Sequence, residues 1–470
     1  MPDSRTEAKS LLKPLSHSSL RTLVKFAACL VVSMTVALLP EHDGLGDAGR
    51  WALFILLLSA GLWISEAIPA FAVGLLVIGL EIAILGRPGG VFATDADDWE
   101  RFIDVWGSPL IWLFFGGFVL AAAAEKTGLT TWIATHVLRR LGDDARMQLF
   151  GCMAVTFVFS MFISNTATAT LVIAMVMPRL KAMPSDDRFR SGLLLGIVAA
   201  ANLGGMGTVI GSPPNAIAAE SLRHVDAIDF AGWVVAGLFP ATGLLALAWL
   251  YLVVRFPSNS NRLDTSHLDN PPSLDRQVPD WHRLAVIVVF ATTVGLWLSN
   301  SLHGIPATVI SFVPICCLTT LGVLNSGDIR TIPWDVLLLI AGGLALGIAV
   351  TDTGLANWLI ARLPLDRFGL LGLVLLLSTS TLILSNLMSN TAAANILIPI
   401  AIVATTGNEQ QSVVPIALSA SAAMCLPIST PPNAIAYGTG MLSVREIFEL
   451  GAFIGILTPI VVTLWCRFIL

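Results

Sequence analysis

Two polar triplets interrupt apolar stretches of this chain, and their side chains are suited to holding ions. Ser164-Asn165-Thr166, with Ser160 four residues earlier, returns 225 residues on as Ser389-Asn390-Thr391, with Ser385 four residues earlier. Hydroxyl and amide groups offer oxygens to a cation and O–H or N–H donors to an anion. A second doubled motif, Ser212-Pro213-Pro214-Asn215, returns 218 residues on as Thr430-Pro431-Pro432-Asn433. A helix interior does not tolerate two successive prolines, because each removes a donor and clashes with the preceding turn. Gly204, Gly205, Gly207 and Gly211 loosen the backbone before the first pair. Each Pro-Pro-Asn segment therefore predicts two half-helices joined by an unwound loop. Freed carbonyls there suit a sodium ion, and half-helix N-termini suit an anion.

The elements that carry these motifs belong in a bilayer. The chain has 470 residues, 55% apolar and only 12% charged, and its mean hydropathy is +0.81. A soluble protein of this length needs far more charge to cover its surface. Spans are predicted near 23–40, 51–67, 69–86, 109–127, 192–220, 232–254, 283–300, 306–324, 334–352, 412–440 and 448–468. The interrupted apolar segments 148–178 and 368–403 read as re-entrant helical hairpins. Non-helical backbone at that depth must face protein or a water-filled cavity.

Arg5, Lys9, Lys13, Arg21 and Lys25 precede or open the first span, which predicts a cytoplasmic N-terminus with no cleavable signal. Further basic clusters at 139–146, 179–190 and 255–283 agree with the positive-inside rule, Arg362 and Arg367 being exceptions. The polar stretch 256–282 reads as a cytoplasmic linker dividing the chain near its middle. A third echo flanks it: Gly116-Gly117, Thr127-Gly128-Leu129 and Trp132 return as Gly342-Gly343, Thr353-Gly354-Leu355 and Trp358. Three motifs in one order predict two repeats, inverted by the predicted topology. The expected fold is an all-α polytopic membrane protein of about 11 transmembrane helices plus two hairpins. Short amphipathic helices at 128–141 and 354–367 would lead into the hairpins.

These doubled motifs and this layout resemble the divalent anion/sodium symporter family, whose members carry dicarboxylates, citrate or sulfate. The resemblance covers nearly the whole chain beyond its first twenty or so residues. It implies a homodimer moving a small dianion with sodium ions by an elevator mechanism. Residues 23–147 and 283–367 would form a scaffold, and 148–255 and 368–470 a transport domain, with 1–22 as a cytoplasmic N-terminal segment. It places one sodium ion at Ser160, Ser164, Asn165 and Gly211, and another at Ser385, Met388, Asn390 and Ser429. It places the dianion against Asn165, Thr166, Ser212 and Pro213 on one side, and Asn390, Thr391, Thr430 and Pro431 on the other.

No Lys, Arg or His lies within 151–178, 378–400 or either Pro-Pro-Asn break. A dianion at mid-membrane needs neutralisation, so the compensating charge must be mobile, and sodium fits. Exchange without sodium would need a fixed cation there. Glu66 and Glu125, at span ends, are candidate proton sites. The six cysteines have neither metal-ligand nor disulfide spacing, and no nucleotide loop, metal motif or nucleophile elbow occurs. The reading is a carrier in the inner membrane, with no cofactor beyond sodium and no nucleic-acid partner. Succinate is the expected cargo, with sulfate and sodium-independent dicarboxylate exchange as alternatives.

Overall fold

The computed structural model describes residues 17–39, 42–258, 279–362 and 368–470. Most of the predicted N-terminal segment (1–16) and of the linker (259–278), and the end of the second amphipathic helix (363–367), lie outside the described residues. The described chain is helical, with no strand among the described residues. Single turns aside, it opens with α1 (His17–Ala37), α2 (Asp47–Ser65) and α3 (Ala70–Leu80), which runs on as a π-turn over Glu81–Gly86. Then follow α4 (Pro109–Lys126), α5 (Leu129–Arg140), α6 (Ala145–Ser160), α7 (Asn165–Ala182), α8 (Phe189–Gly204), α9 (Pro213–Leu222) and α10 (Phe230–Arg255). After α11 (Asp280–Leu298) and α12 (Phe312–Thr320) the same order returns. It runs α13 (Trp334–Asp352), α14 (Leu355–Arg362), α15 (Leu370–Leu387), α16 (Asn390–Ala404), α17 (Glu409–Ser421), α18 (Pro431–Gly438) and α19 (Val444–Ile469).

Eight helices among the described residues are long and apolar enough to cross a membrane. One of them is α15, the first arm of the second predicted hairpin, so length alone does not separate a hairpin arm from a span. The break after it does: Met388 is extended, and Ser389 restarts a helix as its N-cap. The first hairpin breaks at the corresponding place, where Ser164 caps α7. In both hairpins the capping serine accepts the N–H of the alanine three residues on, at 3.2 Å. That bond satisfies one of the donors left over at a helix start. The two arms of each hairpin pack on one another.

Both Pro-Pro-Asn breaks form as the local chemistry requires. α8 has 16 residues and is about 24 Å long, short of a hydrocarbon core of about 30 Å. An unwound stretch from Gly205 to Ser212 then leads into α9, with Pro213 and Pro214 in its first turn, where prolines are tolerated. α17, the non-helical bends and turn of Met424–Thr430, and α18 repeat this plan. α8 is buried all round apart from Arg190, so both unwound loops hang from helices enclosed by protein.

The repeated Gly-Gly pairs are crossing points. A Cβ on Gly342 would lie 2.2 Å from Cα of Gly74, and one on Gly116 would lie 2.6 Å from Cβ of Ser311. The next glycine in each pair faces a residue in or after a break: Gly117 meets Ile210 in the unwound stretch, and Gly343 meets the amide of Asn395 in α16. One apolar core gathers most of the chain, and a second packs α2 and α3 with α13, α14 and the start of α16.

Candidate functional site

Helices of opposite repeats cross at the breaks. α7, which begins at Asn165-Thr166, packs on α18, while α16, which begins at Asn390-Thr391, packs on α9. Side chains tie the crossing. Asn202, in the last turn of α8, points its Nδ2 at Thr430 Oγ1 (3.3 Å) and Asn433 Oδ1 (3.4 Å). Ser421, at the end of α17, directs its hydroxyl to Ser212 Oγ at 3.0 Å and to Asn215 Oδ1 at 3.4 Å. Each unwound loop is thus tied to the helix that precedes the other.

The asparagines of the Pro-Pro-Asn motifs hold the loops open. Asn215 Nδ2 donates to the carbonyls of Gly205 and Thr208, both at 2.8 Å. Asn433 Nδ2 donates to those of Met424 and Leu426, at 2.9 and 2.8 Å. The Gly205 and Met424 carbonyls have the buried amide as their donor, while the Thr208 carbonyl also takes the Gly211 N–H at 3.2 Å and that of Leu426 the Ser429 N–H at 3.1 Å.

At the first predicted cation site, Ser160 Oγ stands 2.5 Å from Asn165 Oδ1 and 2.6 Å from the Ala201 carbonyl. A hydroxyl carries one proton, so Ser160 donates to only one of these two oxygens. The Ala201 carbonyl also takes the Gly205 N–H at 3.3 Å, and the oxygens of Ser160, Asn165 and Ala201 together form a set that suits a small cation. Gly205 backs the Asn165 amide: a Cβ there would lie 2.9 Å from Nδ2 and 3.1 Å from the Gly211 carbonyl. The structure therefore gathers Ser160, Asn165 and Gly211, and adds the Ala201 carbonyl. Ser164 is turned to its capping role instead.

At the second site, Ser385 Oγ and Asn390 Oδ1 are closed off from solvent and have no hydrogen-bond partner. Met388 and Ser429 are both buried, and Ser429 is engaged elsewhere, donating to Asn386 Oδ1 at 2.9 Å and accepting from Leu426 N at 3.0 Å. Asn386 also takes the Cys425 N–H at 2.7 Å, so it is the hub joining this hairpin to the break. Two orphaned buried oxygens are costly unless a ligand completes them.

Of the predicted anion contacts, Thr166 and Thr391 occupy the second positions of α7 and α16, and their hydroxyls make no hydrogen bond among the described residues. Ser212 and Thr430 cap α9 and α18, where Pro213 and Pro431 are the first helical residues. Four helix starts with partial positive charge thus carry all eight predicted anion contacts. Sequence reasoning missed Asn202, Ala201, Asn215, Asn386, Ser421 and Asn433 as site residues. Asn215 and Asn433 stood in the doubled motif and could have been chosen. The others carry no signal beyond being polar or small near the end of a buried helix.

The sequence profile described as "Citrate transporter" (CitMHS) matches residues 51–419. A protein of Staphylococcus saprophyticus named sodium-dependent dicarboxylate transporter SdcS is 30% identical over 468 residues, covering 92% of this chain and 88% of that protein. A Staphylococcus aureus protein of the same name, from strain MRSA252, is 31% identical over 499 residues, covering 97% and 92%. Among solved structures, the Alcanivorax borkumensis YdaH transporter superposes with a TM-score of 0.53 at 18% identity, covering 88% of this chain and 97% of that one. Neisseria gonorrhoeae MtrF does so with 0.57 at 12%, covering 87% and 96%. At these identities the two structures speak for the fold alone. The profile and the relatives together place this chain in the citrate transporter family, as a multi-pass membrane transporter and not an enzyme.

Proposed function

We propose that the protein is a sodium-coupled symporter of a small divalent anion, with succinate the first cargo to test. The observation that carries this reading is the clustering of the Ser160, Asn165 and Ala201 oxygens, matched by the buried, unpartnered oxygens of Ser385 and Asn390. Two such oxygen sets suit two small cations. The four helix starts beside them call for an anion, and the segments that carry both supply no Lys, Arg or His. The names of the staphylococcal relatives support sodium and a dicarboxylate. On this reading the repeats are inverted, and 148–255 with 368–470 slide as a transport domain against a scaffold of 23–147 and 283–367. The protein works as a homodimer in the inner membrane with its N-terminus in the cytoplasm.

Purified protein in proteoliposomes should take up succinate under a sodium gradient and not when potassium or choline replaces sodium. Equal uptake in all three would defeat the reading in favour of exchange. Asn165→Lys should put an ammonium where sodium sat and remove sodium dependence, leaving residual dicarboxylate exchange.

The threonines test the anion half. Thr391→Ala or Thr166→Ala should weaken succinate binding by about 1.5–3 kcal/mol, the worth of a hydrogen bond to a charged group. Sodium binding without succinate should change much less. Equal losses of both, measured by calorimetry, would make the threonines shapers of the loop and not contacts of the anion.

A further inference from the structure

Each hairpin-tip serine opens onto a cavity that also holds one glutamate from the proposed scaffold. Ser164 lines a cavity of about 440 Å³ together with Glu125 at the end of α4. Ser389, its counterpart in the second repeat, lines one of about 390 Å³ together with Glu66 in the turn between α2 and α3. The serines occupy equivalent places in the repeats and the glutamates do not, so the shared arrangement is made by the tertiary structure.

Neither glutamate is held in an ion pair. In the first cavity, Lys126 and Asp328 neutralise one another across 2.5 Å. Arg283, which donates to the Thr127 carbonyl at 3.3 Å, pairs with Asp280. In the second, Lys25 donates to the carbonyl of Ser65, the residue before Glu66, at 2.8 Å, so its ammonium offsets part of the Glu66 charge without pairing with it. Neither Glu66 nor Glu125 makes an ion pair or a hydrogen bond among the described residues, and both are exposed. Glu66 is also the one non-glycine residue described with a positive φ, 49°. Glycine or asparagine fits that turn at lower cost, so the backbone does not explain a glutamate there.

A carboxylate in a cleft with low-dielectric walls raises the local concentration of cations and repels a dianion. Behind each carboxylate lies a hairpin that carries one of the two proposed oxygen sets, so a cation arriving at the tip serine has somewhere to go. We propose that Glu125 and Glu66 are cation-collecting residues, each drawing sodium through its cavity toward the hairpin tip behind it. This rests on the sodium-coupled reading above.

The test is the sodium dependence of succinate uptake by reconstituted full-length Glu125→Gln, Glu66→Gln and the double variant, with choline holding ionic strength constant. Each single variant should raise the half-saturating sodium concentration about three- to tenfold at low ionic strength and leave the plateau rate in place. The double variant should show the product of the two shifts, which should shrink as ionic strength rises. Glu66→Gly should match Glu66→Gln although it relaxes the turn, whereas Glu66→Asp and Glu125→Asp should stay near wild type. An unchanged half-saturating sodium concentration in both Gln variants, or a fall in plateau rate alone, would overturn the proposal while wild type remains sodium-dependent. Wild-type uptake indifferent to sodium would instead mark the failure of the sodium-coupled reading and take this one with it.

Discussion

Asn215→Leu should abolish transport and lower the stability of the protein by on the order of 2–5 kcal/mol. The side chain is fully buried, and its Nδ2 is the donor for the Gly205 and Thr208 carbonyls. Leucine has a similar volume but donates nothing, so the Gly205 carbonyl would be left without a donor in a dry loop and the Thr208 carbonyl with only the Gly211 N–H. Each such orphan costs about 1–3 kcal/mol. The loop would relax to rehydrate them, carrying away Gly211 beside Asn165 and Ser212 at the start of α9. Asn433→Leu should behave alike, through the Met424 and Leu426 carbonyls. Thermal unfolding in detergent and uptake in proteoliposomes would check both effects. Either variant transporting at the wild-type rate would mean that the loop holds its shape without the amide.

The other large effect is expected at the helix crossings. Gly342→Ala should cost about 1–3 kcal/mol, and Gly342→Val more, with little folded protein recovered. The added Cβ would meet Gly74 at its Cα (2.2 Å), carbonyl carbon (2.6 Å) and oxygen (2.6 Å). Main-chain atoms cannot swing aside as a side-chain end can, so α3 and α13 must separate. Close backbone approach of this kind is what small residues permit between membrane helices. Gly243→Ala and Gly295→Ala are the controls, since a Cβ at either position meets nothing within 4 Å. The monodisperse yield after size exclusion and the melting temperature would separate the two classes. A Gly342→Val protein as stable as the Gly295→Ala control would refute the close-contact account.

Much of this was legible in the chain because its causes are local. Two adjacent prolines end a helix whatever surrounds them, so the breaks at 213–214 and 431–432 were readable from residue type alone. A serine followed by Asn-Thr-Ala restarts a helix through its own hydroxyl, and both hairpins turn there. Composition fixed the membrane as solvent, and the threefold echo fixed the order in which each half repeats its elements.

What the sequence left open depends on residues some two hundred positions apart. In soluble helices an apolar stripe tells which face is buried; α8 is buried on every side, polar Ser191 and Asn202 included, so no stripe marks the face that carries Asn202. The crossing of α7 with α18 and of α16 with α9, the bonds from Asn202 and Ser421, and the Ala201 carbonyl beside Ser160 leave no local trace. The same holds for Glu66 and Glu125: the chain shows two acids at span ends, and only folding sets each in a cavity with a hairpin-tip serine. The sequence by itself determined the solvent, the breaks and the chemical types at the site, because propensity and solvation act within a few residues. The tertiary structure alone decided which oxygens are gathered or left without a partner and which breaks share a crossing, because those follow from packing between distant segments.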